Sequence, residues 1–123
     1  MSTKILVIED NDQDRKIIGR YLKKSGYEDV VFAESGEEGV AKAKVENPDI
    51  VVSDTMLPGI DGFEVCRQIR EHFGPDTPKI IIMTGAVDAV DAVKAKKMGA
   101  NDYCVKTSDY EPLLDAVKNV GGS

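Results

Sequence analysis

The sequence predicts a single α/β domain built on one doubly wound, five-stranded parallel sheet with helices on both faces. Short apolar runs recur along the chain at Ile5–Ile8, Val30–Ala33, Ile50–Ser53, Ile80–Met83 and Tyr103–Val105. Segments with helical periodicity separate them, and strand–helix alternation of this kind is the pattern of a parallel sheet. The chain has 123 residues, 41% of them hydrophobic. That is enough to fill one core and too short for two.

Each element has its own local reason. Ile5–Ile8 is apolar at successive positions, as in a strand buried on both faces. Ile17, Ile18, Tyr21 and Leu22 fall on one stripe, which predicts a helix over Asp14–Ser25. After the second strand, Ser35-Gly36-Glu37-Glu38 has the spacing of a capping box and opens a helix over Glu37–Glu46. The stretch "PDIVVSDTMLPGIDGF" carries an apolar run that stops at Ser53-Asp54 and meets Pro58 and Gly59, so a third strand ends in a loop there. Helices are predicted at Gly62–Phe73 and Val87–Met98, on either side of the fourth strand. The last helix runs from about Pro112 to Val120, with the proline in a first turn where its missing N–H costs little. No internal boundary or repeat interrupts the series. The domain is expected over residues 1–120, with 121–123 (Gly121-Gly122-Ser123) as linker or tail.

A net charge of -6 argues against a broad surface for nucleic acid. No apolar run reaches the roughly 18 residues of a membrane span. Met1-Ser2-Thr3-Lys4 leads into a short strand with no export signal, so a cytoplasmic protein is expected. Cys66 and Cys104 read as reduced packing thiols, and His72 as a cation favoured by a helix C-terminus. Lys94, Lys96 and Lys97 mark either a solvated face of the fourth helix or a dock for an acidic partner.

Parallel strands deliver their carboxyl ends to one edge, where ligands bind in sheets of this class. The first strand brings Glu9 and Asp10 there, the third Asp54, the fourth Thr84 and the fifth Lys106. A lone aspartate at such a point also closes turns or caps helices. Together the acids say more. Two carboxylates about 4 Å apart repel by roughly 4 kcal/mol at an effective dielectric near 20. Three in one crevice therefore call for protonation or a cation. All-oxygen ligands suit Mg²⁺ or Mn²⁺, and no His or Cys stands at these ends to select zinc. Mg²⁺ binds through one or two carboxylates plus a phosphate, which Thr84 and Lys106 could face with a hydroxyl and an ammonium.

The motifs "ILVIEDND", "IVVSDTMLPGIDGFEV", "IIIMTGA" and "MGANDYCVK" occur in order, each at a strand end. From Lys4 to about Val120 the chain resembles the receiver domains of two-component response regulators, chemotaxis regulators among them. The resemblance implies a flavodoxin-like sheet of order 2-1-3-4-5. It implies that Asp54 accepts a phosphoryl group from a sensor histidine kinase or phosphotransfer protein. Mg²⁺ or Mn²⁺ would be held by Asp10, Asp54 and the backbone carbonyl of Met56, with Glu9 acting through a water. Lys106 would pair with Asp54 and then with the phosphoryl oxygens, while Thr84 and Tyr103 would switch a face made of the fourth helix, fifth strand and fifth helix. A downstream output domain or protein would read that face. Such a domain catalyses only its own phosphorylation and dephosphorylation. Met56 and Ala86 occupy the family's two positions beside the attacking water, and neither orients one strongly, so slow self-dephosphorylation is expected.

One position departs from the family pattern: Lys106 is followed by Thr107 where a proline after a cis bond is usual. A cis peptide before a non-proline residue costs about 3–4 kcal/mol, so a trans bond is expected. A displaced Lys106 would favour a degenerate receiver, a protein-binding module independent of phosphorylation. Tyr103 by itself also reads as a strand-edge ring packed on a helix. Two other classes fit less well. A haloacid-dehalogenase-like hydrolase needs a second acid two residues after its nucleophile, and Met56 stands there. A flavodoxin-like electron carrier needs a phosphate-cradling loop after the first strand, where "EDNDQD" would repel phosphate.

Overall fold

The computed structural model describes residues 3–86 and 88–121. Strand and helix alternate throughout: β1 (Lys4–Ile8), α1 (Asp12–Lys24), β2 (Asp29–Ala33), α2 (Gly36–Glu46), β3 (Ile50–Asp54), α3 (Gly62–Phe73), β4 (Lys79–Thr84), α4 (Ala89–Lys97), β5 (Asp102–Val105) and α5 (Glu111–Val120). The five strands form one parallel sheet in the order β2-β1-β3-β4-β5. No described helix is long and apolar enough to cross a membrane.

Capping side chains set the helix starts, and most differences from the sequence reading lie there. Helix α1 begins at Asp12, two residues before the predicted Asp14, because Asn11 Oδ1 accepts a hydrogen bond from Asp14 N at 3.0 Å. Ser35 Oγ accepts from Glu38 N at 3.1 Å, as the capping box requires. The reciprocal bond goes one residue further out, since Glu38 Oε1 accepts from Glu34 N at 2.7 Å. Asp88 caps α4, which starts at Ala89; the predicted first residue, Val87, lies outside the described residues. So do Met1, Ser2, Gly122 and Ser123, while Gly121 caps α5. Asp54 and Thr84 are the last residues of β3 and β4 rather than the first of the loops.

Side chains alternate between the two faces of the sheet, so each face packs its own core. Ile5, Val7, Val52, Ile81 and Met83 meet Ile18 and Leu22 of α1 and Leu113 and Val117 of α5. Leu6, Ile8, Val51, Ile80 and Ile82 meet Ala43 of α2 and Val65 and Ile69 of α3. Each fully buried aliphatic side chain contributes about 1.5–3 kcal/mol. Strand β3 is buried at all five positions, which explains its unbroken apolar run.

Gly62 closes the loop after β3. A Cβ at this position would lie 2.1 Å from the carbonyl oxygen of Asp54, and Gly62 N donates to Thr55 O at 3.0 Å. Only a residue without a side chain lets the start of α3 press against the end of β3. Gly62→Ala should therefore lower stability by about 1–3 kcal/mol or more, read as a reduced urea midpoint, because backbone must move to relieve the clash.

Candidate functional site

The hydrogen-bond ladder runs one residue past several strand ends and fixes the residues just beyond them. Glu9 N donates to Ala33 O at 3.0 Å, Thr55 N to Met83 O at 3.0 Å and Lys106 N to Thr84 O at 2.6 Å. Arg15 Nη1 also donates to the Glu9 carbonyl at 2.8 Å. Glu9, Asp54, Thr84 and Lys106 thus stand along one edge of adjacent strands. One oxygen each of Glu9, Asp10 and Asp54 lies within 4.8 Å of the others. Asp10 is exposed, whereas Glu9 is only 1% accessible and Asp54 is also buried.

Lys106 enters this group of acids directly. Its Nζ lies 2.5 Å from Glu9 Oε1, 3.1 Å from Asp54 Oδ2 and 3.1 Å from Asp14 Oδ2. Asp14 is absent from the residues singled out in the sequence. The available signal was its place in the first turn of α1, once that helix is seen to start at Asp12.

Burial pushes the Glu9 carboxyl up to about 7, aided by the negative Asp54 and opposed by its bonds to Lys106 and the Asn11 N–H. Burial works against the charged form of Lys106, but the bond to Glu9 and the charges of Asp54 and Glu9 outweigh it and hold the ammonium well above its usual range. The crevice therefore keeps a firmly charged cation and lacks positive charge for all of its acids. That donor set, oxygen-only and incompletely neutralised, fits a hard divalent ion.

Lys106 reaches the crevice without a following proline. The one cis peptide bond among the described residues is Thr77–Pro78, and Lys106–Thr107 is trans, as expected. Thr107 Oγ1 donates to Asp109 Oδ1 at 2.9 Å, and the same oxygen accepts from Glu111 N at 3.0 Å. These bonds, from Glu111 first and Thr107 second, hold the Asp109 carboxyl below its usual range. They shape the turn into α5, whose cap residue Tyr110 offers no side-chain bond.

Thr84 and Tyr103 are engaged away from the acids. Thr84 Oγ1 donates to Ala86 O at 3.0 Å and accepts from Ala86 N at 3.3 Å. The Tyr103 ring packs on the cluster that holds Ala95, and its hydroxyl is buried with no hydrogen-bond partner among the described residues. An open crevice of about 590 Å³ leads to the site, lined by Asp54, Met56, Thr84, Ala86 and Lys106 and rimmed by Asp61, Asp88 and Asp91. Met56 is 80% exposed at this mouth.

The description "Response regulator receiver domain" belongs to the family model that matches residues 5–118. The chain belongs to the response regulator receiver domain family. This receiver domain is 44% identical over 102 residues to the transcriptional regulatory protein AfsQ1 of Streptomyces coelicolor, covering 83% of this chain but 44% of that one. It spans about half the length of several curated relatives it matches. Chemotaxis protein CheY4 of Vibrio cholerae superposes with a TM-score of 0.89 at 28% identity, covering 98% of this chain and 99% of that one. TrrA of Thermotoga maritima, solved in complex with Mg²⁺ and beryllium fluoride, superposes with a TM-score of 0.85 at 32% identity, covering 96% of this chain and 98% of that one.

Other sequence readings find their places in the receiver domain. Cys66 and Cys104 are free and buried, and burial raises their thiols to about 11 and about 12, so both are inert packing groups. Lys94, Lys96 and Lys97 are exposed, and Lys94 Nζ sits 4.6 Å above the Phe63 ring.

Because the folded state holds a proton on Glu9 that the unfolded chain releases, folding takes up a proton between pH about 4.5 and about 7. Stability of the metal-free protein should fall as pH rises through that window. Thermal melts in chelator should show this slope in the native sequence and not in Glu9→Gln.

Proposed function

We propose that the receiver domain accepts a phosphoryl group on Asp54 from the phosphohistidine of a sensor histidine kinase or phosphotransfer protein. The observation that carries this reading is the Lys106 ammonium, 3.1 Å from Asp54 Oδ2 in a crevice shared with Glu9 and Asp10. An Asp54 oxygen attacks phosphorus as the donor's P–N bond breaks and its electron pair returns to the imidazole. Lys106 orients the carboxylate beforehand and binds phosphoryl oxygens afterwards. Phosphoryl transfer asks a protein mainly for position and charge neutralisation, which this group of residues supplies.

Asp10, Asp54 and the Met56 carbonyl would hold Mg²⁺ or Mn²⁺, with Glu9 contributing through a water. When bound, the ion supplies positive charge beside the transferring group. The chemistry acts on the domain itself and does not make it an enzyme for other substrates. The reading takes residues 1–120 as the working unit and the cytoplasm as the compartment where phosphohistidine is presented.

The same reading makes Thr84 and Tyr103 the switch. Thr84 would exchange its bond to Ala86 for the phosphoryl group and draw the Gly85–Ala86 segment with it. A buried hydroxyl without a partner costs about 1–3 kcal/mol, so Tyr103 has a reason to favour a second packing in which it is paired. A phosphoryl group that binds the second packing better shifts the population toward it. The face of α4, β5 and α5 then changes shape for a downstream output domain or protein. A phosphorylation-independent binding module would be favoured by a displaced Lys106, and Lys106 instead contacts Asp54.

Asp54→Asn should lose all phosphate uptake from a small acyl phosphate with Mg²⁺, followed by intact-protein mass. Labelling of that variant at full stoichiometry would overturn the assignment. With Met56 and Ala86 beside the water path, the phosphorylated native protein should lose its label over many minutes or longer, and loss within seconds would contradict the role given to those two positions.

A further inference from the structure

We infer that Asp14 is a positioning residue that competes with the phosphoryl group for Lys106 and so sets how readily Asp54 is charged. The inference rests on the function proposed above. An ammonium has three N–H donors. Three carboxylates, Glu9, Asp14 and Asp54, lie against the Lys106 ammonium. A phosphoryl oxygen can bind Lys106 only if one of them gives way.

The three differ in what release costs. Asp54 stays beside Lys106 because it carries the incoming group, whose oxygens add to its own. Glu9 is 1% accessible, so an ionised Glu9 parted from Lys106 would stay in a poorly solvated place. The Asp14 side chain is 32% accessible, and water can take over its charge. Asp14 is the partner that yields.

Its backbone is held at the start of α1. Asn11 caps its N–H at 3.0 Å in the first turn of α1. The buried Tyr110, in a left-handed backbone conformation with φ 54°, lies within range of the Asp14 charge. Burial first, and then the charge of Asp14, push the Tyr110 phenol up to about 12. Because the Asp14 backbone is fixed in the first turn of α1, its carboxylate stays close to Lys106 after it yields, and it repels the added negative charge on Asp54. Loss of competition and loss of repulsion act in the same direction.

The test is binding of beryllofluoride with Mg²⁺ to the full chain, followed by fluorine NMR. Asp14→Asn keeps the size and hydrogen bonding of the side chain but removes its charge, and should bind about tenfold tighter than the native protein. Asp14→Glu, which restores the charge, should return most of the way to the native affinity. The gain in Asp14→Asn should shrink as salt is raised, which a purely structural role for Asp14 would not produce. Asp14→Ala provides a second neutral variant, and urea midpoints establish that each variant folds. Native protein that binds beryllofluoride while folded Asp14→Asn and Asp14→Ala bind no tighter overturns this inference alone. A native protein that binds none overturns both the inference and the function on which it rests.

Discussion

Four carboxylates gather around a single ammonium at the edge of an otherwise apolar sheet. Glu9, Asp14 and Asp54 touch Lys106, and Asp10 completes the group from the solvent side. Isolated, these acids would repel one another and Glu9 would take up a proton, as its raised carboxyl already indicates. The arrangement persists because two cores, one on each face of the sheet, supply the burial that offsets it. The strands act as rails: their ladder continues past the ends, so residues distant in sequence arrive at one place.

The same constraint links the crevice to the rest of the receiver domain. Lys106 continues β5 and hydrogen-bonds through its backbone to Thr84, so the cation and the hydroxyl share one pair of strands. Thr84 in turn holds the segment leading to α4, and Tyr103 lies on β5 beneath that helix. Asp54 is thus joined through Lys106 to Thr84 by two direct contacts. The turn after Lys106 reaches its geometry through Thr107 and Asp109 rather than through proline, and the lysine still meets the acids.

Much of the fold was legible because its signals are local. Unbroken apolar runs such as Ile50-Val51-Val52 can satisfy a strand only if both faces are covered, and strand–helix alternation then makes the sheet parallel. Helix ends were less legible, because α1 starts where Asn11 caps it rather than where its apolar stripe begins. That two-residue difference hid Asp14, which reads in the sequence as one more acid in "EDNDQD". Glu9 was legible as part of the acidic group, but its direct contact with Lys106 was not, since it depends on β1 and β5 being brought to one edge by a sheet in which they are not neighbours.

By itself, then, the order of residues determined which side chains stand at strand ends, because alternation and periodicity are properties of short segments. Only the folded sheet decided which of them share a hydrogen bond, which carboxyl is buried and which stays wet. Those outcomes depend on distances of a few ångströms between segments as far apart as Asp14 and Lys106, and electrostatic energy is set by such distances rather than by position along the chain.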